Sequence, residues 1–145
     1  MINTIIEAVS VALNKEFGDR YEIHMEEIEQ GLEEPCFFIS CLNPANKRFM
    51  GRRYFCTNQI CIQYFPESSE KRRECNGVAA RMYRCLEWIM VKGEDKPVMG
   101  TKMNYDYEAD NGIMNFYVNY DMFLIRQQGN DGAMEKVTGN VTAKG

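Results

Sequence analysis

The sequence has little of what catalytic and membrane proteins need. It contains a single histidine, His24, and a single tryptophan. It contains no phosphate-cradling P-loop, no dinucleotide glycine pattern, no Gly-x-Ser-x-Gly elbow and no His-Glu-x-x-His helix, so several common enzyme chemistries lack their signatures. Nucleophilic catalysis by serine or cysteine normally needs a base. His24 lies in Tyr21-Glu22-Ile23-His24-Met25 with no nucleophile motif to serve, and it reads as a surface or edge-strand side chain. No apolar run approaches the roughly 18 to 20 residues of a membrane span, and Met1-Ile2-Asn3-Thr4 lacks the basic start of a signal peptide. A protein that is cytosolic at synthesis and does not enter a membrane is expected.

The six cysteines stand at positions 36, 41, 56, 61, 75 and 85, with no Cys-x-x-Cys pair and no Cys/His cluster. Zinc chelation by local spacing is therefore not expected. Nor is a disulfide scaffold, because 145 residues with 45% apolar content build a core without staples. The cysteines read as small buried hydrophobes. Asp106-Tyr107-Glu108-Ala109-Asp110-Asn111-Gly112 has a faint likeness to a calcium loop, but its glycine comes one place late and Tyr117 stands where the bidentate glutamate belongs. A hairpin turn explains the same residues, and no cofactor is expected.

What the sequence does have is clear periodicity. Ile2, Ile5, Ile6, Val9, Leu13 and Phe17 recur at helical spacing, with Thr4 and Glu7 as a capping box and Gly18 as a C-terminal cap. Strands follow over 21–25 and 35–42, separated by the acidic turn 26–34. A long basic loop over 43–53 then leads to a strand over 54–65, in which Cys56, Ile60, Ile62 and Tyr64 face one way and Thr57, Gln59 and Gln63 the other. Ser68 or Ser69 caps a second helix with the stripe Cys75, Val78, Ala79, Met82, Leu86 and Ile89, ending near 91–93. Two more strands, from Met99 to Tyr107 and from Met114 to Leu124, flank the Asp110-Asn111-Gly112 turn. The order predicts an α+β protein: one domain over 1–126, a mostly antiparallel sheet joined by hairpins, and two amphipathic helices packed on one face. The segment 127–145 is rich in Gly, Asn, Asp and Lys and reads as a C-terminal tail, mobile or ordered on assembly.

Charge is segregated along the chain. Residues 1–46 carry nine acidic and two basic side chains, 47–92 carry four acidic and ten basic, and 93–145 carry eight acidic and five basic, within a net charge of −4. The clusters that stand out are Lys47, Arg48, Arg52 and Arg53, then Lys71, Arg72 and Arg73, against Glu26, Glu27, Glu29, Glu33 and Glu34. One reading is a nucleic-acid patch, since Phe49, Tyr54 and Phe55 interleave with the basic residues. The acidic balance of the whole molecule opposes it. A second is a solvated loop and helix start. A third is contact between unlike sides of two copies, the heterologous joint that closes rings. If the acidic and basic clusters were neighbours within one fold, the pattern would be internal neutralisation only.

Several blocks read together: Glu29-Gln30-Gly31-Leu32-Glu33-Glu34-Pro35-Cys36-Phe37-Phe38-Ile39, Arg52-Arg53-Tyr54-Phe55, Ile62-Gln63-Tyr64-Phe65-Pro66, Gly100-Thr101-Lys102-Met103 and Phe116-Tyr117-Val118-Asn119-Tyr120-Asp121. In this order the chain resembles the small tail-terminator proteins encoded in the tail-assembly modules of phages and prophages of Gram-positive bacteria. The resemblance spans about residues 1–125. It implies an α+β subunit that forms a hexameric ring on the head-proximal end of the tail tube, ends tube growth and presents a surface to the head-tail connector or neck protein. It implies no catalytic residues. Its expected partners are further copies of itself, the tail tube protein and the connector, with genomic DNA passing through unbound. Its expected places are the host cytoplasm during assembly and the virion tail. A neck component of the same particle is the nearby alternative, and a small nucleic-acid-binding regulatory domain is the distant one.

Overall fold

The computed structural model describes residues 2–25, 33–126 and 137–138. Helix α1 (Ile2–Phe17) is followed by β1 (Glu22–Met25), β2 (Cys36–Met50), β3 (Arg53–Phe65), α2 (Lys71–Cys85), β4 (Trp88–Ile89), β5 (Val98–Glu108), β6 (Ile113–Tyr120), β7 (Met122–Arg126) and β8 (Val137–Thr138). The sheet order is β1-β2-β3-β6-β5-β4, with β7 paired to both β3 and β8. The fold is α+β, as the periodicity predicts.

Both helices lie on one face of the sheet. Ile5, Ile6, Val9, Leu13 and Phe17 of α1 and Cys75, Val78, Ala79 and Met82 of α2 are buried with Phe37, Ile39, Ile60, Ile62, Tyr64, Phe116 and Val118 from the strands. Each fully buried large apolar side chain contributes about 1.5 to 3 kcal/mol, which makes this layer the main source of stability. The even-numbered residues of β3 face it, as the alternation requires. Phe17, Phe37 and Tyr64 pack in sequence as tilted rings at the start of β2, with centroids 5.1 and 5.0 Å apart.

Several boundaries differ from expectation, each for an identifiable physical reason. Helix α1 begins at Ile2, so Thr4 lies inside its first turn rather than capping it; Ile2 packs on the core and draws the helix forward. Gly18 does close the helix, at φ 91°, donating to the Asn14 carbonyl at 2.8 Å. The loop over 43–53 is instead a strand pair. β2 and β3 stay paired from Cys36/Phe65 to Met50/Arg53, past one-residue bulges, and reverse tightly at Gly51. The bulge after Leu42 absorbs Pro44, which a regular central strand excludes.

The joins are not all hairpins, because β1 pairs with β2 in parallel. Helix α2 ends at Cys85, and β4 interrupts the chain expected to stay helical; the Glu87 carbonyl accepts from the Gly100 N–H at 2.7 Å. Leu86 and Ile89 stay buried without being helical. The last long strand is split between Tyr120 and Met122, where the buried Asn58 donates to the Tyr120 carbonyl at 3.0 Å. Pairing with β3 resumes in the same register beyond the break. Of the tail over 127–145, only Val137–Thr138 falls within the described residues, paired with β7.

Candidate functional site

Beyond its first bulge the β2–β3 hairpin forms an arm whose side chains are mostly exposed. No acidic residue occurs between positions 36 and 66, so the arm is uniformly basic. Lys47, Arg48, Arg52 and Arg53 are all exposed, and Arg48 Nε donates to the Gly51 carbonyl at 3.0 Å, fixing the turn. Lys47 stands opposite Phe55, which stands opposite Phe123 of β7. The two phenyl rings lie 5.0 Å apart, and the Arg53 guanidinium sits 5.4 Å above the Phe123 ring. Strand parity puts Lys47, Arg53, Phe55 and Phe123 on the sheet face away from the helices.

Lys71, Arg72 and Arg73 behave differently. Lys71 is half-buried, and its chain lies where a Cβ on Gly112 would be, at 2.7 Å from Cδ. Arg72 covers the Tyr107 ring at 4.5 Å, and Arg73 pairs with Glu70 at 3.7 Å. Lys71 and Arg72 therefore rest on the chain's own β5–β6 hairpin. Glu33 and Glu34 are exposed just before β2, while Arg52 and Arg53 stand at the other end of the same hairpin. At about 3.3 Å per residue the path along the hairpin between them is roughly 45 Å, several Debye lengths at physiological salt. Glu33 and Glu34 therefore do not neutralise Arg52 and Arg53 within one subunit. Glu26, Glu27 and Glu29 lie outside the described residues.

A second acidic group lies on the face that carries Lys47 and Phe55, at its far end. Gln63, Asn115 and Asp106 form one row across β3, β6 and β5. Gln63 Nε2 donates to Asn115 Oδ1 at 3.0 Å, and Asn115 Nδ2 donates to Asp106 Oδ1 at 3.1 Å and Glu108 Oε2 at 2.6 Å. Asn111 donates to the other Glu108 oxygen at 2.8 Å. These two amides hold the Glu108 carboxyl below its ordinary range, so it stays charged. The cluster was missed in the sequence, although strand alternation places Asp106 and Glu108 on one face. The same segment does form the expected hairpin turn, with the Gly112 N–H donating to the Glu108 carbonyl at 2.8 Å.

His24 lies on β1 with Nε2 3.3 Å from Glu22 Oε1. None of the six cysteines is in a disulfide. Burial raises Cys36, Cys61 and Cys75 to about 11 and Cys85 to about 12, the opposite of an activated nucleophile. Among the described residues, no group of three or more His, Cys, Asp or Glu could hold a metal ion, and no helix is long and apolar enough to cross a membrane.

No curated protein matches the chain. A family model described as "Phage tail terminator protein" matches residues 4–132, which takes in all but the first two residues of α1, the whole of α2, the β2–β3 arm and the acidic β5–β6 hairpin. The match covers most of the chain, and the chain belongs to the phage tail terminator family.

Proposed function

We propose that this protein caps the head-proximal end of the tail tube as a hexameric ring, ends tube polymerisation and forms part of the surface that joins the tail to the head. The observation that carries the reading is the family match over nearly the whole chain. The charge layout supports it physically. A basic arm at one end of a subunit and acidic groups at the other suit a heterologous contact between copies, which closes into a ring where the rotation between subunits closes. Its partners are other copies of itself, the tail tube protein and the head-tail connector or neck protein, and it works first in the host cytoplasm and then in the virion tail. Genomic DNA passes through such a ring without being held. Catalysis plays no part in this role.

The interface residues in this reading are Lys47, Arg48, Arg52 and Arg53 on the arm, Lys71, Arg72 and Arg73 at the start of α2, and the acidic residues at positions 26, 27, 29, 33 and 34 toward the neighbour. The basic arm with its two phenylalanines also suits a nucleic-acid backbone, and salt separates the two readings. Light scattering over a range of concentration and salt, followed by negative-stain imaging, tests the proposal. A six-chain species imaged as a ring, without measurable duplex binding near ~150 mM salt, is expected. A concentration-independent monomer that binds DNA with a steep salt dependence would replace the terminator reading with a nucleic-acid one.

A further inference from the structure

The sheet face opposite the helices carries unlike charge at its two ends, and no described helix covers it. At one end are Lys47 and Arg53 around the Phe55–Phe123 pair, with Phe123 44% exposed. At the other are Asp106 and Glu108, held in place by Asn115 and Asn111. Eight residues of β3 separate Phe55 from Gln63, or roughly 26 Å at about 3.3 Å per residue. That exceeds the ~8 Å Debye length at physiological salt. The two ends therefore cannot satisfy each other within one subunit.

We infer that the arm patch of one copy, Lys47, Arg53, Phe55 and Phe123, docks on the Asp106–Glu108 end of the next copy, so that this face is the subunit joint. This rests on the self-association proposed above and deepens it by naming an acceptor for the arm, the Asp106–Glu108 end of the β5–β6 hairpin. Three features of the structure support it. Asp106 and Glu108 are preorganised by the Asn115 amide, so little side-chain freedom is lost on docking. The Arg53 charge is already placed over an aromatic ring, which supplies apolar contact area beside the charge. Lys71 and Arg72 lie against Gly112 and Tyr107 of the chain's own hairpin, whereas Lys47 and Arg53 of the arm are exposed.

Complementary charge reversal tests the joint. The variants Lys47→Glu/Arg53→Glu and Asp106→Lys/Glu108→Lys are each expected to raise the concentration for assembly by about tenfold or more, the scale of a close interfacial charge pair. Mixed in equal amounts they are expected to reassemble, since each reversed patch then meets an opposite one in an alternating ring. Rescue on mixing also shows that both variants are folded. Should the lysine variant melt at a much lower temperature, Lys47→Gln/Arg53→Gln tests the same joint through exposed arm residues alone and should weaken assembly likewise. Wild-type rings with variants that assemble unchanged, or with no rescue from two folded variants, would overturn this joint while leaving the ring. A wild-type protein that never associates would overturn both.

Discussion

The Tyr64 hydroxyl on β3 donates to Oε2 of Glu74 on α2 at 2.6 Å. The same carboxylate accepts the Glu67 N–H at 3.1 Å and the Ser68 N–H at 2.9 Å. One side chain thus joins the sheet, the turn after Pro66 and the start of the helix. Burial pushes the Glu74 carboxyl up, but the hydrogen bonds from Tyr64, Ser68 and Glu67 outweigh it and hold the group below its ordinary range.

Glu74→Gln is expected to cost about 1 to 3 kcal/mol near neutral pH, the range for losing charge-assisted hydrogen bonds at a partly buried group. Because the folded pKa lies below the unfolded one, this stability is complete above about pH 5 and fades as pH falls through the folded value. The gap in melting temperature between wild type and variant should therefore be widest near pH 7 and narrow in acid. A gap that widens in acid would contradict the assignment.

This contact also explains why the helix start was misread. Ser68 and Ser69 fit a capping pattern, yet the N-cap is Glu70, with no side-chain cap bond. The carboxylate that binds the Ser68 N–H comes from within the helix and is oriented by a tyrosine ten residues earlier, a tertiary effect that local pattern does not carry. What was legible in the sequence was one-dimensional: the stripe of α1, the alternation of β3 and the Gly112 turn. The parallel β1–β2 pair, the break opposite Asn58 and the Asn115 bridge depend on which strands meet. The basic segment misled because its proline and glycine read as loop, while a bulge and a tight turn accommodate both within a hairpin.

Gly100→Ala and Gly77→Ala should shift stability in opposite directions. A Cβ on Gly100 would stand 2.7 Å from the Leu86 carbonyl oxygen and 2.8 Å from Val118 Cγ2, and relieving that overlap is expected to cost about 1 to 3 kcal/mol. Gly77 lies within α2 with nothing near its Cβ position, so alanine there should stabilise by up to about 1 kcal/mol. Thermal melts of the two variants, compared with wild type, check both signs.

Four of the six native thiols should react slowly. With Cys36, Cys61, Cys75 and Cys85 raised by burial, a thiol reagent near pH 8 is expected to leave these four largely unmodified until denaturant is added. Rapid stoichiometric modification of one of them in the folded protein would reveal a thiolate and reopen a catalytic reading.

Ending the chain after Arg126 should leave the fold intact. The segment beyond it contributes only the two-residue pairing of β8 with β7 among the described residues, and its composition holds few large apolar side chains. The melting temperature of the shortened chain is expected to stay within a few degrees of wild type, the scale of about 1 kcal/mol for a domain of this size. A large fall would place residues beyond 126 in the core.

The most direct test of the terminator role is the length of tail tubes assembled from the tube protein of the same tail module, with and without this protein, measured by electron microscopy. Tubes that stop short, carry a ring at one end and fail to grow there when fresh tube protein is added are the predicted result. Tubes that reach the same lengths and keep growing from both ends, with the protein left unbound, would contradict it.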